Sequence, residues 1–280
     1  MAKAQPKQWT RETRWRQGSV LPAPAIEHFD LHHPAAGTTT CVVVISHDCD
    51  LANDNLTAEP DVEVIIGRTT DKVDGNYTWG KAPRTLHYPV TCNGETRHVE
   101  LVSTSKCILS KSELAQFEPD EQYVLDGKSL AVLRSWLGSR YNRAAFPDTF
   151  VNRMRSTKAD SKLAKVLERS GEHISFVYFD VDSGQNIERE EGDPYKLSIV
   201  LVFPPGNDPE ATANKVEDVA AEVEEIVGGR LKDGTAVVLK SCFPISEDDL
   251  PVSKAKLLTQ WRLEYMTLRD DDEQPGPPAL

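Results

Sequence analysis

Long hydrophobic runs are missing from this chain. Its longest apolar stretches, such as residues 197–203, fall far short of the roughly 20 residues a membrane-spanning helix needs, which excludes a helical membrane protein from the expected classes. No apolar segment follows Lys3 and Lys7, so nothing there reads as a secretory leader. Cysteine is scarce and odd in number: five, widely spaced, with no Cys-x-x-Cys pair. That usage fits reduced thiols in a cytoplasm and argues against a disulfide framework. No internal repeat is visible.

What is present is enough apolar residue, 39% of 280, to build one large or two medium domains. The net charge of −12 argues against a protein that coats itself in nucleic acid. The charge is unevenly spread, however. Residues 128–169 hold ten Lys and Arg against Asp148, Asp160 and Glu168, and residues 1–20 hold five against Glu12, so the rest is strongly acidic. A basic block of this kind suits an anionic partner, while the acidic C-terminal part suits a protein partner.

Five apolar, largely β-branched residues, 41–45, read as a buried strand that delivers Ser46, His47, Asp48, Cys49 and Asp50. Before it, Arg16-Gln-Gly-Ser-Val-Leu21 reads as a turn and short strand stopped by Pro22 and Pro24, and 26–40 as loop. After it, 61–66 is a second strand and 69–83 a long loop with an Asp74-Gly75 turn. Residues 85–92 and 97–102 alternate around Asn93-Gly94, a hairpin signal, and 106–109 is a further short strand, giving a compact all-β domain. Ser110 or Ser112 caps a helical turn. Leu130, Leu133, Trp136 and Leu137 then form a helical stripe ending at Gly138; Phe146, Phe150, Val151 and Met154 form a second, and Leu163, Val166 and Leu167 a third. The remainder is α+β: strands at 174–179, 195–203 and 235–243, a long helix with Val216, Val219, Val223 and Val227 on one face, terminated by Gly228-Gly229, and a closing strand around Trp261, Leu263, Tyr265 and Leu268. Ser246 caps a short helix. Residues 270–280, acidic and proline-rich, read as a disordered tail.

The polar cluster after the strand is open to several readings. If the strand continues, Asp48 and Asp50 face one side and Glu59, Asp61 or Glu63 adds oxygen from its neighbour, a ligand set for Mg²⁺ or Mn²⁺. His47 and Cys49 then face the other way, with Cys41, Cys92 or Cys107 as partners for Zn²⁺. Alternatively Cys49 is a nucleophile activated by His47 and an Asp. In the plainest reading Ser46 to Asp50 is a hydrogen-bonded turn. His87, His98 and His173 are expected to be structural, and Trp79, Trp136 and Trp261 to be core residues.

In order, the first 118 residues resemble the MazF/PemK family of toxin ribonucleases. The likeness rests on Arg16-Gln-Gly-Ser-Val20, Val43-Val-Ile-Ser46, the 62–66 strand, His98-Val-Glu-Leu101 and Lys106-Cys-Ile-Leu-Ser-Lys111 leading to Leu114. It implies an SH3-like barrel and a nuclease of the toxin–antitoxin or phage-defence kind. Two positions depart. Where that family carries an Arg-Pro before the Val-Ile-Ser strand, with the Arg at the scissile phosphate, this chain has Thr40-Cys41. Where it carries a catalytic Thr after the next strand, this chain reads Gly67-Arg68-Thr69.

The expected architecture is α+β: an N-terminal SH3-like β-barrel at 10–118, a basic helical bridge at 119–170, an α+β domain at 171–269 and a tail. The expected function is nucleic-acid binding or processing in a cytoplasmic setting. His47, Asp48, Cys49 and Asp50 are the catalytic candidates, Asp48, Asp50 and Glu63 the metal candidates, and Arg14, Arg16, Arg68, Arg134, Arg140 and Arg143 the phosphate contacts. The competing class is a non-enzymatic protein-interaction module on a degenerate barrel.

Overall fold

The structure is a computed structural model and describes residues 8–139, 141, 146–185, 187–206, 208–231 and 236–262. The fold is mixed α and β, with a curled antiparallel half-barrel sheet. The described chain divides into two units, one from the residues up to Val73 and Arg84–Leu137, the other from Asp74–Pro83 and the chain from Gly138 on. Among the described residues no helix is long and apolar enough to cross a membrane.

The first unit contains α1 (Ala23–His28), β1 (Thr40–Val44), α2 (Asp48–Leu51), β2 (Asp61–Thr70), β3 (Thr85–Cys92), β4 (Glu95–Ser110), α3 (Lys111–Leu114), β5 (Tyr123–Val124) and α4 (Gly127–Ser139). The prolines expected to lead into a loop instead start α1, because Pro22 is its extended N-cap and the next proline sits in the first turn, where no N–H is needed. The sheet runs β1-β2-β4-β3-β5, every pair antiparallel. β3 and β4 join through Asn93 and Gly94, both at positive φ, as a two-residue hairpin of this type demands. The two strands expected at 97–102 and 106–109 are one strand, β4. Its register against β2 shifts between Ile65 and Gly67, and that irregularity accompanies the curl of the sheet.

Both faces of this sheet are covered, which is why 41–45 reads as an unbroken apolar run instead of alternating. Val42, Val44, Val62, Val64 and Leu109 pack with Trp9, Trp15, Leu21, Leu51 and Leu114. Cys41, Val43, Ile65, Leu86, Tyr88, Val99 and Leu101 pack with Leu133 and Trp136 of α4. The helices expected as one bridge therefore divide, α4 closing this core and the next two helices the other unit's.

The second unit contains α5 (Asp148–Ser156), α6 (Ala159–Ser170), β6 (Phe176–Val181), β7 (Tyr195–Phe203), α7 (Pro209–Leu231), β8 (Val237–Ser246), α8 (Val252–Ala255) and β9 (Thr259–Gln260). Its sheet runs β8-β7-β6-β9, with β7 and β8 parallel and joined through α7. Phe150, Leu163, Val177, Phe179, Leu197, Val223 and Trp261 share the core. Gly228 and Gly229 do not end α7. The buried stripe continues through Val227 to Leu231, and a Cβ on Gly228 would stand 3.3 Å from Leu239. Ser246 caps no helix; its hydroxyl accepts from the Asp248 N–H at 3.3 Å. The closing strand is described only as β9, and residues 263–280, with the expected tail, lie outside the described residues.

Residues 74–83 join this unit as a clip. Gly75 donates its N–H to the Glu168 carbonyl (3.0 Å), and Thr78 its hydroxyl to that of Gly171 (3.2 Å). The fully buried Lys81 ammonium donates to Thr78 Oγ1 (3.0 Å) and to the carbonyls of Gly171 (2.8 Å) and Ile174 (2.6 Å). Burial holds its pKa well below the usual lysine value. Trp79 is half-buried, with its indole N–H on Glu172, whereas Trp136 and Trp261 are core residues as expected.

Candidate active site in the curled sheet

The strand that opens the polar cluster stops at Val44, and Asp48–Leu51 turns into helix, so Asp48 and Asp50 do not alternate along a strand. Three contacts favour the turn. His47 caps it by accepting the Cys49 backbone N–H at its Nδ1 (3.2 Å). Asp48 accepts the Gln17 N–H (2.8 Å), and the buried Lys111 ammonium binds the carbonyls of Asp50 (2.6 Å) and Asn53 (3.0 Å). His47 thus meets the backbone of Cys49 and not its thiol. Glu63 is exposed on β2, where its N–H donates to Ser46 Oγ (2.8 Å). The structure does not gather Asp48, Asp50 and Glu63 as ligands, and among the described residues no group of three His, Cys, Asp or Glu is arranged to hold a metal ion. All five cysteines are free thiols.

The candidate arginines scatter. Arg14 pairs with Glu121, and Arg16 donates to the carbonyls of Thr13 (2.5 Å) and Trp15 (2.7 Å). Arg134 donates from Nε to Gln17 Oε1 (2.6 Å) and lies 3.6 Å from Asp48. Arg140 and Arg143 lie outside the described residues.

Arg68 is different, because strand register sets it in a row. Thr40 on β1 pairs with Arg68 on β2, Arg68 with Glu100 on β4, and Glu100 with His87 on β3. Directly opposed residues of antiparallel strands share a face, so all four side chains stand on one side of the sheet. Arg68 Nε donates to Glu100 Oε1 at 2.7 Å, and His87 Nε2 lies 2.9 Å from Glu100 Oε2. Side-chain exposure falls along the row, from 32% at Arg68 to 13% at Glu100 and 4% at His87, so the row opens at its Arg68 end. The half-buried His33 joins there. Its N–H donates to Thr40 Oγ1 (3.0 Å), and its Nδ1 accepts from the Ala35 N–H (3.2 Å), leaving Nε2 to carry the proton of the neutral ring.

The hydrogen bond with His87, then that from Arg68 and the two positive charges, hold the Glu100 pKa down at about 2 against the opposing effect of burial. Burial, and next the charge of Arg68, push His33 below the ordinary histidine value. At neutral pH the row therefore presents a carboxylate engaged on both oxygens and a neutral imidazole beside a guanidinium.

Comparison with protein-family models, curated proteins and solved structures gives no match for this chain. The chemistry of the row is that of handling an anion. A guanidinium fork suits phosphate or carboxylate, and a hydroxyl donor stands across from it. The carboxylate behind it holds the guanidinium with one oxygen and the buried His87 with the other. Of these residues the sequence marks Arg68 as a phosphate contact, shows Thr40 only as a departure from the family pattern, and suggests a structural role for His87. The hairpin turn held the signal for the rest: a two-residue Asn93-Gly94 loop sets Cys92 opposite Glu95, and five residues back along each strand His87 meets Glu100.

Proposed function

We propose that the curled sheet is an SH3-like barrel of the toxin-ribonuclease kind and that the Thr40–Arg68–Glu100–His87 row binds and cleaves RNA phosphodiesters. One observation carries this reading. The Arg and Thr that the family resemblance calls for occupy this chain in exchanged positions, and strand register sets Thr40 directly opposite Arg68, so the pair of side chains is kept while the strands that bear them are swapped.

In this mechanism Arg68 holds the phosphate, with Thr40 donating a hydrogen bond to a non-bridging oxygen. The ribose 2′-oxygen attacks phosphorus and the bond to the 5′-oxygen breaks. The 2′-hydroxyl proton passes to solvent and the leaving 5′-oxygen takes one back, while Glu100, itself held by the buried His87, keeps Arg68 in place. The products are a 2′,3′-cyclic phosphate and a 5′-hydroxyl. Such an enzyme fits a toxin or phage-defence role in a cytoplasm. Labelled RNA and DNA of one sequence, incubated with the protein in EDTA, test the reading. Cleavage of RNA alone is expected, with Arg68→Ala lowering kcat/KM by about 10²–10³ and Glu100→Gln, which frees the guanidinium from its partner, lowering it less. Cleavage of both strands alike would rule out the 2′-hydroxyl route. A protein-interaction role is favoured by a different feature, the exposed carboxylates Glu217, Asp218, Glu224 and Glu225 on α7, and would leave RNA intact.

A further inference from the structure

Between α6 and α7 lies a cavity of about 620 Å³ lined by Lys162, Lys165, Glu168, Arg169 and Arg230, with Val166, Ile226 and Gly229. Four cations face it against one lining carboxylate, in a chain whose net charge is −12. Among the described residues Arg169 alone of the four is ion-paired, to Glu222 of α7. Helix ends account for part of this charge, since Arg169 and Arg230 sit in the last turns of α6 and α7, where the helix dipole favours cations. Lys162 and Lys165 have no such reason to be there. Lys162 ends the first turn of α6, where the helix dipole disfavours a cation, and Lys165 follows three residues on, where like charges repel across a turn.

The layout indicates what the charges face. Lys162, Lys165 and Arg169 occupy positions i, i+3 and i+7, a line about 10 Å long on one side of α6, with Arg230 across the groove. A line of cations matches a repeating anion better than a single one. Ile226, partly buried, supplies an apolar floor for a sugar or base while the rim holds phosphate, and Val166 closes the base of the groove beneath it. The volume is that of a small-ligand site and accommodates about one nucleotide unit.

We infer that the α6–α7 groove binds successive phosphates of a single-stranded nucleic acid. The choice of nucleic acid over other polyanions rests on the proposed function, but the groove itself does not depend on the chemistry of the curled sheet. The test uses a 2′-O-methyl RNA oligonucleotide, which the proposed mechanism cannot cleave, and measures its affinity for the full chain by fluorescence anisotropy over a series of salt concentrations. In the Lys162→Gln/Lys165→Gln/Arg230→Gln variant, affinity at about 0.1 M salt is expected to fall at least tenfold. The slope of log K against log salt should fall by about 2, near 0.7 for each lost single-strand contact. Lys215→Gln, an exposed change elsewhere on α7, and an unchanged melting temperature serve as controls. Competition by inorganic pyrophosphate as strong as that by the oligonucleotide would reassign the site to a small phosphate. Equal affinity and slope in variant and parent, or no binding by the parent, overturns the inference. Groove-dependent binding by a protein that leaves ordinary RNA intact would instead sink the cleavage reading and spare the groove.

Discussion

At Glu100 one carboxylate is engaged by Arg68 from one neighbouring strand and by His87 from the other, at 2.7 and 2.9 Å. Those bonds bring its pKa from 4.5 to about 2. As pH falls through 4.5 the unfolded chain takes up this proton while the folded chain does not, so stability is present above that pH and drains away toward pH 2. The shift corresponds to at most about 3 kcal/mol. Glu100→Gln is expected to lower stability at neutral pH by up to that amount and to flatten the acid limb, as read by urea unfolding at stepped pH. An acid limb as steep as the parent's would show that these partners do not hold the carboxylate. The Glu100–His87 pair was readable from the hairpin turn. The arrival of Arg68 beside it was not, because the register shift between Ile65 and Gly67 leaves no residue pattern. Asp48 and Asp50 misled for the opposite reason: their spacing fits strand and helical turn alike, and contacts from Gln17 and Lys111, distant in sequence, decide between them.

The elements whose partners lie nearby in sequence were read well. The strand at 195–203, the Asn93-Gly94 hairpin and the three helical stripes from Leu130 to Leu167 all appear as expected, since periodicity and turn chemistry specify them locally. The clip at 74–83 shows what such signals omit: its turn residues announce a loop but not where the loop docks. Gly75 approaches the end of α6 so closely that a Cβ would stand 2.0 Å from the Leu167 carbonyl oxygen and 2.6 Å from the Gly171 nitrogen. Gly75→Ala is therefore expected to expel the clip. Lys81→Met takes its donor from the Ile174 carbonyl, at a cost of about 1–3 kcal/mol for an unsatisfied buried group, whereas the Gly171 carbonyl keeps the Thr78 hydroxyl and the Ile174 N–H. Hydrogen exchange should report both changes as faster opening of α6 and β6. Unchanged protection there would mean that the clip adds nothing to the unit it joins.

Over the whole molecule, sequence order and spatial grouping part company. The reading by order placed a barrel at 10–118 and a helical bridge at 119–170. The structure takes 74–83 out of the first unit, and α4 closes the core behind the half-barrel while α5 and α6 belong to the other unit. Apolar stripes reveal that a helix has a buried face, not which sheet buries it. Charge behaves likewise. The basic block is visible in composition, but the groove takes only Lys162, Lys165 and Arg169 from it and completes the set with Arg230, far along the chain on α7. The central claim, that the four-strand row cleaves RNA with Arg68 on the phosphate, is tested most directly by end-group analysis of RNA incubated in EDTA. The parent protein is expected to release 2′,3′-cyclic phosphate and 5′-hydroxyl ends, with Arg68→Ala slower by about 10²–10³ and Arg68→Lys, which loses the planar fork, also impaired. Intact RNA with the parent, or equal rates for Arg68→Ala, would contradict it.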